Sequence, residues 1–256
     1  MKLIIAPNAA ITEAQVKNIV THFDETGTLL VKGKRNTIKI FRLEDIEVNV
    51  KSFKKPHWFN SIVYAYFRKS KARRSYEYAN YLIEKNIGTP KPLAFVEYNS
   101  FSGLDKSYYL CEHIYADLTF RELVEIPDFP DHENILRQFT RFSFSLHENG
   151  VEFKDHSPGN TLIKKVPDNE SYRFFLVDLN RMNFHDLMPF ELRMKNLSRL
   201  TPKKGMVEIM ANEYAKFYKD KSETEIFEKM WAETEQFQYK FHRKQGLKKK
   251  LKFWKR

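Results

Sequence analysis

The stretch from Glu133 to Asp178 constrains this chain more than any other part of its 256 residues. It runs in a fixed order: a helical segment, a loop holding Asp155 and Asn160, a short apolar run, a turn, a second run, and Asp178. Ile135, Leu136, Phe139, Phe142 and Leu146 recur on one helical face, with Asp131 placed to cap that helix and Gly150 to stop it. The runs at 161–166 and 172–177 flank Pro167 to Ser171 and predict a hairpin. Paired antiparallel strands lie about 5 Å apart, so their outer ends return to one edge. Asn160 and Asp178 bracket the hairpin and are expected to be neighbours. Asp155, in a loop closed by Pro158 and Gly159, is expected to fold back beside them.

That grouping has a definite chemistry. An amide oxygen and a carboxylate suit Mg²⁺, a hard cation that prefers oxygen and takes further ligands from substrate phosphates. A second carboxylate can orient a hydroxyl and accept its proton. Singly, each signal is weak, because acids in loops are usually solvated or close turns. The order of elements is what points to phosphoryl transfer, where the protein mainly positions phosphates and neutralises charge.

The first half of the chain reads as β, then α. Segments 28–33, 37–42 and 46–53 are short runs rich in β-branched and apolar residues, separated by turn-like stretches. A helical pattern follows from Trp58 to Asn86, with Ala72, Tyr76, Ala79 and Ile83 in phase and Gly88 and Pro90 beyond it. Strand-like runs at 92–98 and 107–114 complete five strands and a helix. Phosphoryl transfer also calls for a strand lysine fixed by a helix glutamate. Lys51 and Glu77 fit those places, with Lys39 and Glu84 as competing candidates. The remainder, from Leu187 to Gln238, reads as helical.

At this point the sequence resembles the lipopolysaccharide kinase family, the bacterial Kdo (3-deoxy-D-manno-octulosonic acid) and heptose kinases related to protein kinases. The resemblance spans roughly 29–200 and rests on VNVKSF, SYEYANYLIEKNIGTPKPLAF, LHENGVEFKDHSPGNTLI, LVDLNR and KNLSRL. It implies ATP and Mg²⁺ as cofactors, Asp155 as the base for the acceptor hydroxyl, Asn160 and Asp178 as magnesium ligands, and Lys51 with Glu77 as the phosphate clamp. His147, in a family-like His-x-x-Gly, reads most simply as an imidazole favoured by the dipole at a helix carboxyl end.

The departures from the kinase pattern carry information as well. KGKRNT replaces a Gly-rich loop, which puts Lys34, Arg35 and Asn36 in the place of backbone contacts to phosphate. Phe153 stands where protein kinases usually have a His, and Ser157 where many have Lys. The stretch from Asp178 to KNLSRL is too short for a peptide-docking activation segment, and no Ala-Pro-Glu follows. A protein substrate is therefore not expected, and a small or lipid-linked acceptor is.

Charge sharpens the expected partners. The chain carries +11, yet nine of its 44 basic residues lie between Lys240 and Arg256 with no acid among them, leaving 35 against 33 acids elsewhere. In that tail Leu247, Leu251 and Trp254 share a helical face among lysines, which suits an anionic membrane surface. A second basic and aromatic stretch, 54–74, precedes the Glu77 helix, but no nucleic-acid reading motif accompanies either. The lone Cys111, the absence of a secretory leader pattern and of any run of about 18 apolar residues fit a cytoplasmic protein, peripheral on the inner face of the cytoplasmic membrane.

These readings give an expected α+β, two-lobed protein-kinase-like fold. Residues 1–115 form a small antiparallel-sheet lobe with one main helix, 116–239 a mainly helical lobe with the catalytic loop, and 240–256 a basic amphipathic tail. The expected acceptor is lipid A bearing Kdo or a core heptose. The rivals are a soluble small-molecule kinase of the aminoglycoside or choline type and a membrane-associated pseudokinase scaffold.

Overall fold

The computed structural model describes residues 1–33, 36–54, 69–100 and 103–253, with side chains up to 248. The chain forms two compact units. One comprises Met1–Tyr115 with Leu176–Arg181, the other Ala116–Phe175 with Met182–Arg256.

The first unit is a six-stranded antiparallel sheet of β1 (Lys2–Ile5), β2 (Thr28–Lys32), β3 (Asn36–Arg42), β4 (Glu47–Phe53), β5 (Pro92–Ser100) and β6 (Gly103–Glu112). Their order is β1-β5-β6-β4-β3-β2. Strand side chains alternate between faces, and the alternation assigns each face a helix. Val48, Val50, Ala94, Val96, Tyr108 and Leu110 form one core with Val16, Ile19, Val20 and Phe23 from α1 (Glu13–Thr21) and the turn after it. Lys51, Phe95 and Tyr109 pair across the same strands on the other face, where the Phe95 ring lies 5.2 Å from that of Tyr76 on α2 (Lys71–Glu84).

Both β1 and α1 escaped the sequence reading, although α1 carries a legible start signal. Thr12 and Gln15 make a capping box immediately before Val16, Ile19 and Val20. The longer helix expected from Trp58 is described only from Lys71, because residues 55–68 lie outside the described set, as does Lys34.

The second unit is built on α4 (His132–Glu148), whose Ile135, Leu136 and Phe139 are fully buried. Around it lie β7 (Leu118–Thr119), α3 (Phe120–Glu125), β8 (Val151–Phe153), β9 (Thr161–Lys165), β10 (Tyr172–Leu176), β11 (Met182–Phe184), α5 (Phe190–Leu197), α6 (Lys204–Ala215) and α7 (Glu223–Phe253). The expected hairpin is present as β9 and β10, closed by a hydrogen bond from Val166 N to Ser171 O. Asp131 does not cap α4 through its side chain. It adopts φ +59°, and its carboxylate instead accepts from Asn134 Nδ2 and the Tyr172 hydroxyl. Buried Glu213 joins α6 to α4, accepting from Arg141 Nε at 2.7 Å, Arg137 Nη1 at 3.2 Å and Lys216 Nζ at 2.7 Å. Burial pushes its pKa up, but the bonds from Lys216 and Arg137 outweigh that and hold it below the usual value.

Gly150 ends α4 for a steric reason. Its φ is +67°, and a Cβ there would lie 1.8 Å from the His185 carbonyl oxygen, where β11 pairs with β8. Backbone cannot yield as a flexible side chain would. Gly150→Ala should destabilise the protein by roughly 3 kcal/mol or more, read from the urea unfolding midpoint; a loss below about 1 kcal/mol would show that β11 can move aside.

Candidate active site

Asp155 sits in the loop between β8 and a single 3-10 turn, Pro158–Asn160, which leads into β9. An irregular loop must find donors for its carbonyls outside any ladder, and here three successive carbonyls are each met by a side chain. Asn196 Nδ2 donates to Phe153 O at 2.9 Å, Arg199 Nη1 to Lys154 O at 2.6 Å, and Asn160 Nδ2 to Asp155 O at 2.7 Å. The backbone N–H of His156 also donates to Phe153 O. Two of those donors come from KNLSRL, at the end of α5. The sequence reading had singled out that motif without giving it a function.

His147 connects the same loop to the interior. Its Nδ1 lies 2.9 Å from the Tyr214 hydroxyl and its Nε2 3.4 Å from Asn196 Oδ1. Because Asn196 spends its nitrogen on Phe153 O, its oxygen is the acceptor, so His147 donates from Nε2 and accepts from Tyr214 at Nδ1. His156, one residue past Asp155, is buried between the Phe139 and Phe153 rings. Burial pushes the pKa of His147 down to about 3, assisted by His156 and Arg193, and that of His156 down to about 4. His147 does lie in the last turn of α4, but burial keeps it neutral there. It is a neutral buried link from α4 through Asn196 to the loop.

The first unit holds the other half of the expected residues. Lys51 is 8% exposed on β4, and its Nζ lies 2.5 Å from Asp178 Oδ1 and 5.4 Å from the Phe53 ring centroid. Asp178 adopts φ +62°, and the same Oδ1 accepts from Asn180 Nδ2 at 2.6 Å. Glu77 makes no ion pair with Lys51. Its carboxylate is taken by Lys69 at 2.7 Å and Arg73 at 2.8 Å, one turn back along α2. The expected Lys51–Glu77 clamp is therefore replaced by Lys51–Asp178, because Glu77 has nearer cations on its own helix and its approach. The bonds from those two cations more than offset the upward effect of burial and hold the Glu77 pKa below its usual value.

The competing candidates separate cleanly. Lys39 Nζ donates to the carbonyls of Phe23, Asp24 and Thr26, closing the segment after α1. Its neighbour across the ladder is Val50, whereas Lys51 pairs with Ile38, so the two lysines face opposite sides of the sheet. Glu84 is exposed at the end of α2. Asn36 closes the β2–β3 turn: its carbonyl accepts from Gly33 N at 2.9 Å, and its Oδ1 lies 2.8 Å from where a Gly33 Cβ would be.

The structure thus brings Asp155 together with Asn160, and Lys51 together with Asp178. Among the described residues no group of three or more His, Cys, Asp or Glu is placed to hold a metal alone.

No protein-family model matches this sequence, and no curated protein does. Among solved structures, WaaP in complex with acyl carrier protein is similar, with a TM-score of 0.62 over 95% of this chain and 99% of that one, at 15% identity. The fold is protein-kinase-like. It is mixed α+β with an antiparallel six-stranded sheet.

The two buried imidazoles have a measurable consequence. In the unfolded chain both titrate near 6.5, whereas folded they stay neutral to about 3 and about 4. The unfolded state therefore binds more protons at intermediate pH, so stability is full above about pH 6.5 and falls as the pH drops. Urea midpoints measured from pH 7 to 5 should decline, with the decline flattened in His147→Gln. An unchanged slope in that variant would mean His147 is not held neutral.

Proposed function

We propose that this protein is an ATP- and Mg²⁺-dependent kinase that phosphorylates a sugar hydroxyl of the lipopolysaccharide inner core. The acceptor is Kdo on lipid A or a core heptose. The observation that carries the reading is the Asp155 loop: a carboxylate on a segment whose three carbonyls are individually pinned, within a kinase-like fold. Pinning matters because a general base works only within hydrogen-bond reach of the proton it takes, and a small displacement costs much of the rate.

In this reading the acceptor O–H gives its proton to the Asp155 carboxylate as its oxygen attacks the γ-phosphorus of ATP. The bond from that phosphorus to the β,γ-bridging oxygen breaks, and ADP leaves with the electron pair. Asn160 and Asp178 are the residues that would hold Mg²⁺, which supplies charge neutralisation on the phosphate oxygens when bound. Lys51 supplies a second positive charge to the phosphates, and its present partner Asp178 is the carboxylate assigned to the metal. Lys34 and Asn36 are proposed as further nucleotide-side residues.

The acceptor class draws on two further features. The segment after Asp178 is short, running through β11 to α5. The last helix, α7, spans 31 residues, or about 46 Å, and residues 239–248 are exposed on every face. Tyr239, Phe241 and Leu247 are 65%, 45% and 54% exposed among the basic residues. Among the described residues no helix is long and apolar enough to cross a membrane. A cationic helix with exposed aromatic and apolar side chains is suited to lie on an anionic leaflet instead, gaining about 1 kcal/mol per basic residue near the surface.

Two measurements test this. Incubated with labelled ATP, Mg²⁺ and lipid A precursors with and without Kdo, the protein should transfer phosphate only when the sugar is present. Asp155→Asn should lower kcat roughly 10²- to 10⁴-fold. Equal turnover in that variant removes Asp155 as the base, transfer only to free small compounds favours an aminoglycoside- or choline-type kinase, and no transfer to either favours a scaffold. In the second, the full chain should co-sediment with phosphatidylglycerol vesicles at low salt and be released at high salt, and truncation after Tyr239 should abolish the binding. Salt-insensitive binding, or binding that survives truncation, would exclude the basic arm as the membrane contact.

A further inference from the structure

The sequence reading gave Arg199 no role, yet its guanidinium meets Asp155 directly. A single nitrogen, Nη1, lies 2.6 Å from Lys154 O and 3.2 Å from Asp155 Oδ1. The guanidinium carbon lies 5.5 Å from the centre of the Phe237 ring on α7. The Asp155 side chain is 18% exposed and that of Arg199 36%.

Arg199, which brings its charge to the Asp155 carboxylate, stands 44 residues further along the chain. A planar guanidinium is suited to this, because its edge offers several donors in a fixed fork while its face packs on an aromatic ring. Lysine is a point charge with no such face. Holding the loop carbonyl and the carboxylate with the same group ties the direction of the Asp155 side chain to the path of its backbone.

We propose that Arg199, braced by Phe237, is the positioning residue for Asp155, setting the direction in which the carboxylate meets the acceptor hydroxyl. A partly exposed ion pair of this kind adds little to folding stability. Its effect falls on geometry, and loss of geometry at a reacting group is expressed in turnover. The arrangement also gives α7 a second task besides its basic arm. Phe237 lies just before the exposed segment, so truncation after Tyr239 spares it.

The kinetic part of this inference rests on the phosphotransferase reading. In full-length protein with labelled ATP, Mg²⁺ and Kdo-bearing lipid A precursor, Arg199→Gln should lower kcat about 10- to 100-fold while the KM for ATP and the melting temperature stay near wild type. Arg199→Lys should recover part of the loss, and Phe237→Leu should lose less than Arg199→Gln in the same direction. An unchanged kcat in Arg199→Gln overturns the proposal, as does a loss matched by a fall in melting temperature, which would mark a structural role only. A second measurement needs no acceptor. Crystal structures of the wild type and of Arg199→Gln should show Asp155 in one side-chain conformer in the former and in several in the latter. If the wild type transfers phosphate to nothing, the kinase reading fails and the conformers still decide the role of Arg199: one unmoved Asp155 in Arg199→Gln overturns it.

Discussion

The three carbonyls from Phe153, at the end of β8, to Asp155 in the irregular loop beyond it are each met by a side chain of the second unit. Only the bond to Phe153 O is buried, and that carbonyl also accepts from the backbone N–H of His156. The structure meets the three with three different side chains, Asn196, Arg199 and Asn160. Two of these sit at the end of α5, which fixes that helix end against β8. The third, Asn160, sits in the 3-10 turn that launches β9. The loop is irregular in path but held at each of these carbonyls.

That specification extends inward through groups that do no chemistry themselves. Asn196 can offer its nitrogen to Phe153 O because its oxygen is engaged by His147, and His147 is in turn oriented by the Tyr214 hydroxyl. The chain therefore passes from α6 to α4 to α5 and ends on the loop. Burial keeps the imidazole neutral, and only a neutral imidazole can donate at one nitrogen and accept at the other. Glu213, one residue before Tyr214, anchors α6 to α4 through Arg137 and Arg141. An apolar core and a polar chain thus hold the same helices.

Much of this was legible in the sequence. Helical periodicity in 133–148, the hairpin around Pro167 to Ser171, and the strand runs at 28–53 and 92–114 all correspond to observed elements, because hydrophobic period is a local property. The short β1, β8 and β11 were missed, being three or four residues of ladder with no room for a period. The first helix was missed for another reason, since its capping box was present and went unread. At the site, Asp155 and Asn160 could be paired from their spacing and the turn residues between them. Arg199 could not, because a contact across 44 residues leaves no local mark.

The sequence by itself determined the helical run at 133–148, the hairpin that follows it and the concentration of charge from Lys240 onward. Only the tertiary structure decided which ionic partners meet. Lys39 and Lys51 look alike along the chain, but the ladder register turns one toward α1 and the other to the opposite face, beside Asp178. Glu77 looked like the partner of Lys51 until Lys69 and Arg73 were seen to hold it. Secondary structure follows from neighbours in sequence, whereas an ion pair goes to whichever opposite charge folding brings nearest, and that distance is set by the pleat, the register and the packing of helices together.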